Sequence, residues 1–176
     1  NPIDASTWGQ ARKMLQVMII NDCSTSVRFL LGHRVPGEPR LDCQLALVTA
    51  ARYRHAIGFI PLLLQAKAEI NKSPHETLSA ALFNRGALAS LVRAKIDTNA
   101  TAEHTGNTAL HELLNLNYLT NRDIIRRGVL SVLKLLLEAK ASPYTRNHAG
   151  LLPVQLLQCQ EDVPAKHEME QLLLDP

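Results

Sequence analysis

The chain is poor in aromatic residues, with one tryptophan, three tyrosines and three phenylalanines among 176 residues. A β-sandwich builds its core from aromatic and β-branched side chains. The leucine and alanine that dominate here favour closely stacked short helices instead. Cysteine is scarce as well: Cys23, Cys43 and Cys159 are odd in number and far apart. They exclude a disulfide framework and read as reduced thiols of a cytosolic or nuclear protein. No apolar run reaches the roughly 18 residues of a membrane span, and nothing resembles a signal peptide. The net charge of +3 is too small to mark a nucleic-acid binder by itself. The first residue, Asn1, is not methionine, which raises the expectation of a piece of a longer protein.

Signatures of catalysis are missing too. No G-x-x-x-x-G-K-[ST], G-x-G-x-x-G or G-x-S-x-G occurs, so phosphate cradles and nucleophile elbows are not expected. His111-Glu112-Leu113-Leu114-Asn115 begins like the zinc-binding H-E-x-x-H, but Asn115 stands where the second ligand would be. His75-Glu76 and His167-Glu168 are isolated pairs with no third ligand near in sequence, and read as surface residues. Cys43 and Cys159 lie on or beside apolar segments and read as packed thiols. The expectation is a chain that is not an enzyme and takes no cofactor or metal.

What the chain does contain is a repeat, clearest between Gly106 and Leu157. Gly106-Asn107-Thr108-Ala109-Leu110-His111 reads as a turn and a helix start. The Thr108 hydroxyl can accept a backbone N–H one turn into the helix. His111 can reach back as a capping-box glutamate would. Gly150-Leu151-Leu152-Pro153-Val154-Gln155 matches this segment position by position, with Pro153 at the first helical position and Gln155 in place of His111. Apolar helices end in Leu62-Leu63-Leu64, Leu91-Val92 and Leu135-Leu136-Leu137. Each run is followed by like punctuation: Ala66-Lys67-Ala68, Ala94-Lys95-Ile96 and Ala139-Lys140-Ala141, with Asn71 and Asn99 beyond the first two.

These residues resemble the ankyrin repeat, a unit of about 33 residues with a β-turn, two short helices and a T-P-L-H helix start. Thr108-Ala109-Leu110-His111 departs from that start only at proline, and the resemblance is strongest over residues 40–160. A chain of this length holds about five such units. The spacing is uneven: Lys67 to Lys95 is 28 residues and Lys95 to Lys140 is 45. The third unit is therefore trimmed, and the fourth carries an insertion of about a dozen residues.

The resemblance implies one domain, an all-α ankyrin-repeat solenoid of about four to five stacked helix-turn-helix units. A degenerate first unit covers about 5–35, in which Ser6 or Thr7 caps a helix ending before Asn21 and Trp8 sits near the open end of the stack. Residues 33–41, with Pro36, Gly37 and Pro39, read as loop. The second unit covers about 40–72, with Asp42 as cap and Pro61 tolerated in a first turn. The third, about 73–102, starts at Ser73-Pro74, and Gly86 marks its turn. The fourth covers about 103–147, with its insertion at about 115–129. The last unit, about 148–176, is a cap whose second helix, roughly Pro164 to Leu174, carries the charges of Lys166, His167, Glu168 and Glu170 on one side. The leucine triplets are the main adhesive between units, because burying one leucine contributes roughly 1.5–3 kcal/mol.

Lys67, Lys95 and Lys140 occupy the place where the family has glycine, just past a helix C-terminus. A left-handed residue there costs other side chains roughly 1–2 kcal/mol, partly offset by the attraction of lysine to the carbonyl end of the helix. The three also read as a basic stripe for an acidic partner. The insertion carries Tyr118, Arg122, Arg126 and Arg127, residue types enriched at binding hot spots, beside Leu119, Ile124 and Ile125. It either meets a partner directly or extends the helices and covers the neighbouring unit.

Function, as the resemblance implies it, is binding another protein, a folded domain or a peptide, on the concave face of a monomer. Carried over by position, the contact residues there are Lys72, Thr101, Glu103, Glu112, Asn115, Tyr144, Arg146 and His148. The alternative is a recognition arm of a larger enzyme or assembly, such as a ubiquitin-ligase adaptor or a bacterial effector acting in a host cell. Nucleic-acid binding has only Arg122, Arg126 and Arg127 behind it.

Overall fold

The computed structural model describes residues 5–32, 43–115, 122–160, 163 and 165–175; for 5–9, 11–12 and 122–127 it describes the backbone alone. Among the described residues the fold is all-α, with ten α-helices and no strand. In chain order these are α1 (Ala5–Ile20), α2 (Ser24–Gly32), α3 (Gln44–Arg52), α4 (Phe59–Gln65), α5 (Pro74–Ala81), α6 (Arg85–Arg93), α7 (Ala109–Leu113), α8 (Arg122–Glu138), α9 (Pro153–Gln158) and α10 (Lys166–Leu174). Consecutive helices pack as five pairs. The first helices α1, α3, α5, α7 and α9 form one row, each touching the next, and α2, α4, α6, α8 and α10 form the other.

Local chemistry sets the helix ends. Pro74 takes the first position of α5, where no N–H is needed, and Ser73 precedes it. The Asn84 side chain accepts from Ala87 N–H at 3.4 Å to cap α6, and donates to Ala51 O at 3.1 Å. Pro61 falls in the first turn of α4, where its missing N–H costs little. The ends of α4, α6 and α8 share one motif. Lys67, Lys95 and Lys140 are left-handed, with φ of 68°, 62° and 66°. Each lysine N–H bonds the carbonyl three residues back, and the next N–H bonds the one five back, as in Ala141 N to Leu136 O at 2.9 Å. Asp22, with φ of 54°, ends α1 in the same way.

The core runs between the two rows. Leu15, Ile19, Leu47, Leu63, Leu78, Leu91, Leu110, Leu133 and Leu136 are wholly buried there. Of the leucine triplets only Leu63 and Leu136 are sealed; Leu62, Leu64, Leu135 and Leu137 pack against the core from its margin. Polar side chains bridge the first row at a constant step. Gln16 donates to Thr49 at 3.0 Å and Gln44 to Thr77 at 3.3 Å, both across 33 residues.

Several sequence expectations need correction. Ser6 and Thr7 lie inside α1, which already runs from Ala5, so neither is its cap. Cys43 directly precedes α3, without a side-chain cap bond, and Asp42 lies outside the described residues. Gly86 belongs to the first turn of α6; the turn before it is Leu82–Asn84. Cys43 is buried as expected, whereas Cys159 at the end of α9 is exposed, and none of the three cysteines forms a disulfide. Lys166 is not simply a solvated charge: its Nζ donates to Gln158 O and Gln160 O and closes the end of α9. Residues 33–42, Pro164 and the Trp8 side chain lie outside the described residues.

Lys140 and Leu136 separate backbone strain from packing in one helix end. Lys140→Gly should stabilise by about 0.5–1 kcal/mol, the relief of left-handed strain exceeding the extra chain entropy of glycine. Leu136→Ala should destabilise by roughly 2–5 kcal/mol through transfer and cavity terms. Urea unfolding of both variants checks the pair. A loss of stability in Lys140→Gly would show that the ammonium group makes a contact worth more than the strain.

Candidate functional site

A helix in the first row buries one face toward its pair and its neighbours, and leaves the opposite face outward. On α3 the outward positions are Leu45, half exposed at 50 %, Val48 and Arg52. On α5 they are Glu76, Ser79 and Ala80, followed by Phe83, which is 56 % exposed just past the helix end. On α7 the outward residue is Glu112. Together Val48, Arg52, His75, Glu76, Ser79, Ala80, Phe83 and Glu112 line an open cleft of about 610 Å³.

Glu112 is the fixed point of the cleft. The Ser79 hydroxyl, 33 residues earlier on α5, donates a short hydrogen bond to its Oε2. His75 Nε2 lies 3.2 Å from its Oε1, close enough for an ion pair but off the line of a hydrogen bond. His75, and secondarily the Ser79 hydroxyl, hold Glu112 below the usual carboxylate range, against the opposing effect of burial. Two residues of the neighbouring helix α5 thus orient one carboxylate toward the cleft.

At the α7 start the reach-back expected of His111 is present, whereas the Thr108 hydroxyl makes no cap bond to a helix N–H and lies 2.9 Å from His111 Nδ1. His111 is fully buried; its Nδ1 accepts Thr108 N–H at 3.1 Å and its Nε2 lies 3.0 Å from Leu151 O. An Nε2–H tautomer satisfies both contacts, which engages both ring nitrogens. Burial lowers its pKa, with the Leu151 carbonyl acting the other way. Leu110 is buried beside it, and Gln155 repeats the role by accepting Leu152 N–H at 2.8 Å before Pro153. Gly106 and Gly150 are left-handed, with φ of 67° and 75°. At Gly106 a Cβ would stand 2.5 Å from His148 Cδ2, so only glycine lets the two loops meet.

The other sequence-derived contact residues divide into groups. Thr101 and Glu103 are exposed in the α6–α7 loop, and Tyr144, Arg146 and His148 in the α8–α9 loop. Those two loops are joined by Asn147 Nδ2 to Asn107 Oδ1 at 2.9 Å and His148 N to Thr105 O at 2.9 Å. Arg146 and His148 also brace their own surroundings, through Gly150 O at 2.6 Å and His104 O at 3.3 Å. Lys72 is exposed before α5, and Asn115 is half-buried after α7. Of the insertion, Tyr118 lies outside the described residues. The backbone of Arg122, Arg126 and Arg127 continues α8, which makes it 17 residues against 9 for α6, but their side chains lie outside the description.

Sequence reading missed the cleft itself. It left His75 paired with its neighbour Glu76, whereas the close partner is Glu112 on the next helix of the row. Aligning the first helices at 33 residues, which sets Ser79 beside Glu112, would have exposed the cluster. Among the described residues no group of three or more His, Cys, Asp or Glu could hold a metal ion, and no helix is long and apolar enough to cross a membrane. No protein-family model matches the chain, and no curated protein matches it.

His111 and Glu112 give stability a pH dependence of one sign. Both pKa values are lowered in the fold, so each contribution is present above the ordinary value and is lost as pH falls through the folded one. The His111 contribution fades below 6.5 and the Glu112 contribution below 4.5. Melting temperature measured from pH 7 to pH 3 should therefore fall in two stages. His111→Gln should flatten the first stage and Glu112→Gln the second, the latter also costing about 1 kcal/mol at pH 7. A melting temperature that rose on acidification would contradict both assignments.

Proposed function

We propose that this chain is an ankyrin-type repeat solenoid that binds another protein along the outward face of its first-helix row, and that it carries out no catalysis. The stacked helix pairs, the Thr108–His111 helix start and the left-handed lysines in the place of glycine support the architecture. The observation that carries the functional reading is the cleft over α3, α5 and α7. Leu45 and Phe83 are large apolar side chains exposed outside the buried core, and Phe83 lines the cleft with Arg52, Glu76 and the held Glu112. A mixed apolar and charged concavity of this kind fits a protein partner. The α6–α7 and α8–α9 loops, with Thr101, Glu103 and Tyr144, extend the same surface. Cysteine thiols outside any disulfide fit a reducing compartment, cytoplasmic or nuclear.

Photo-crosslinking tests this reading. Phe83→benzoylphenylalanine should capture a discrete partner in extract of the cells that make the protein. The same replacement at Phe29, exposed on α2 in the other row, should not. Phe83→Ala should abolish binding in a chain whose cooperative thermal melt shows it to be folded. No capture from position 83, or equal capture from both positions, would contradict the proposal.

A further inference from the structure

The loops that enter the first-row helices are unequal, and the shortest one opens onto the cleft. The α6–α7 loop holds 15 residues and the α8–α9 loop 14, but the α4–α5 loop holds only 8. All three begin alike, with the left-handed lysine two residues past the helix. The difference comes after Asn71, where only Lys72 and Ser73 remain before Pro74, against Ala100 to Thr108 after Asn99. The projecting part of the loop is missing over α5. Beneath the gap lie His75 and Glu76 in the first turn of α5, then Ser79 and Phe83 along it, flanked by Val48 and Arg52 on α3 and Glu112 on α7.

Charge is sorted along this cleft. The 33-residue bonds set equivalent positions of neighbouring first helices side by side, so α3, α5 and α7 run in the same direction. Glu76 therefore stands at the loop end of the cleft and Glu112 beside Ser79. Arg52, at the last residue of α3, and Phe83, just past α5, stand at the far end. One of the two carboxylates is pre-ordered, because Ser79 and His75 already fix Glu112. A held carboxylate attracts a cation without further loss of its own side-chain freedom.

From this geometry we infer that the gap over α5 is the entry for a short peptide segment of a partner protein, with a lysine or arginine seated between Glu76 and Glu112. A large apolar residue of the same segment covers Phe83 and Val48, and its end toward Arg52 is acidic or carries a backbone carbonyl. The short α4–α5 loop lets the chain cross the stack there instead of stopping at a wall of loops. This inference rests on the protein-binding reading and narrows it to one crossing point and one order of chemistry.

The test is selection of a random peptide library displayed on phage against the full chain. Enriched peptides should share a basic residue with a large apolar residue within a few positions. Glu76→Lys and Phe83→Ala, both at exposed positions, should each weaken the selected peptides by about tenfold or more, as loss of a hot-spot side chain does. Added salt should weaken binding to the parent chain and have less effect on a Glu76→Gln variant. Thermal melts of each variant exclude misfolding as the cause. No enrichment, enrichment of peptides without a basic residue, or binding indifferent to both cleft substitutions would each overturn the inference. Peptides indifferent to the cleft but lost in Glu103→Lys would overturn it while leaving the protein-binding reading intact. Failure of the crosslink from position 83 removes that reading, whatever the peptides do.

Discussion

The three described connections between consecutive pairs, after α4, α6 and α8, each depend on a helix that stops in a left-handed turn. Lys67, Lys95 and Lys140 end α4, α6 and α8 with both freed carbonyl partners satisfied, so the chain reverses within a residue or two. The reversal presents the lysine carbonyl and the amide two residues later to the preceding pair. Asn71 takes up both for the next turn, donating to Lys95 O at 3.4 Å and accepting from Asp97 N at 2.8 Å. Asn99 does the same one pair on, with Lys140 O at 3.0 Å and Ser142 N at 2.7 Å. One side-chain amide spans each of these two joints. Tyr144 stands in the corresponding place on the last loop and is 61 % exposed. The opposite edge has its own clasps, from Asn84 to Ala51 O and from Gln160 to Leu114 O at 2.6 Å.

This division leaves the first-row face without a structural task. Joints are made at the two edges and in the core between the rows, so the outward positions of α3, α5 and α7 are released from stability. Substitution there comes at little cost to folding. Glu112 is the partial exception, since Ser79 and His75 tie it to the neighbouring helix. Its half-buried position couples the cleft to the packing of α5 on α7.

The left-handed turns are legible in the sequence because they rest on local chemistry, whereas the asparagine bridges join residues 24 to 43 positions apart. A lysine two residues past a leucine-rich helix end, followed by asparagine, predicts both the left-handed turn and its place. Thr108 and His111 are legible for the same reason, being three residues apart. The cleft is not, because its members meet only after the pairs are stacked in register. The lysine landmarks stand 28 and 45 residues apart, yet the first helices keep a step of 33 through α7. The shortening lies in the α4–α5 loop and the lengthening after α7, so the most visible marks give the wrong offset for the helices that form the site. Cys159 shows a further limit: an apolar neighbourhood in sequence does not tell which side of a helix end a residue occupies.

The central claim is that the chain is a linear stack in which each pair is held only by its neighbours. Amide hydrogen exchange of Asn99→Ala, followed by mass spectrometry, tests it most directly. The account predicts faster exchange confined to the two loops that Asn99 joins, residues 94–108 and 139–152, and to the adjoining ends of α6 and α8. Amides of α3 and of the second half of α1 should exchange as in the parent chain. Loss of protection spread evenly from α1 to α10 would contradict nearest-neighbour stacking, and no change in either loop would contradict the asparagine joint.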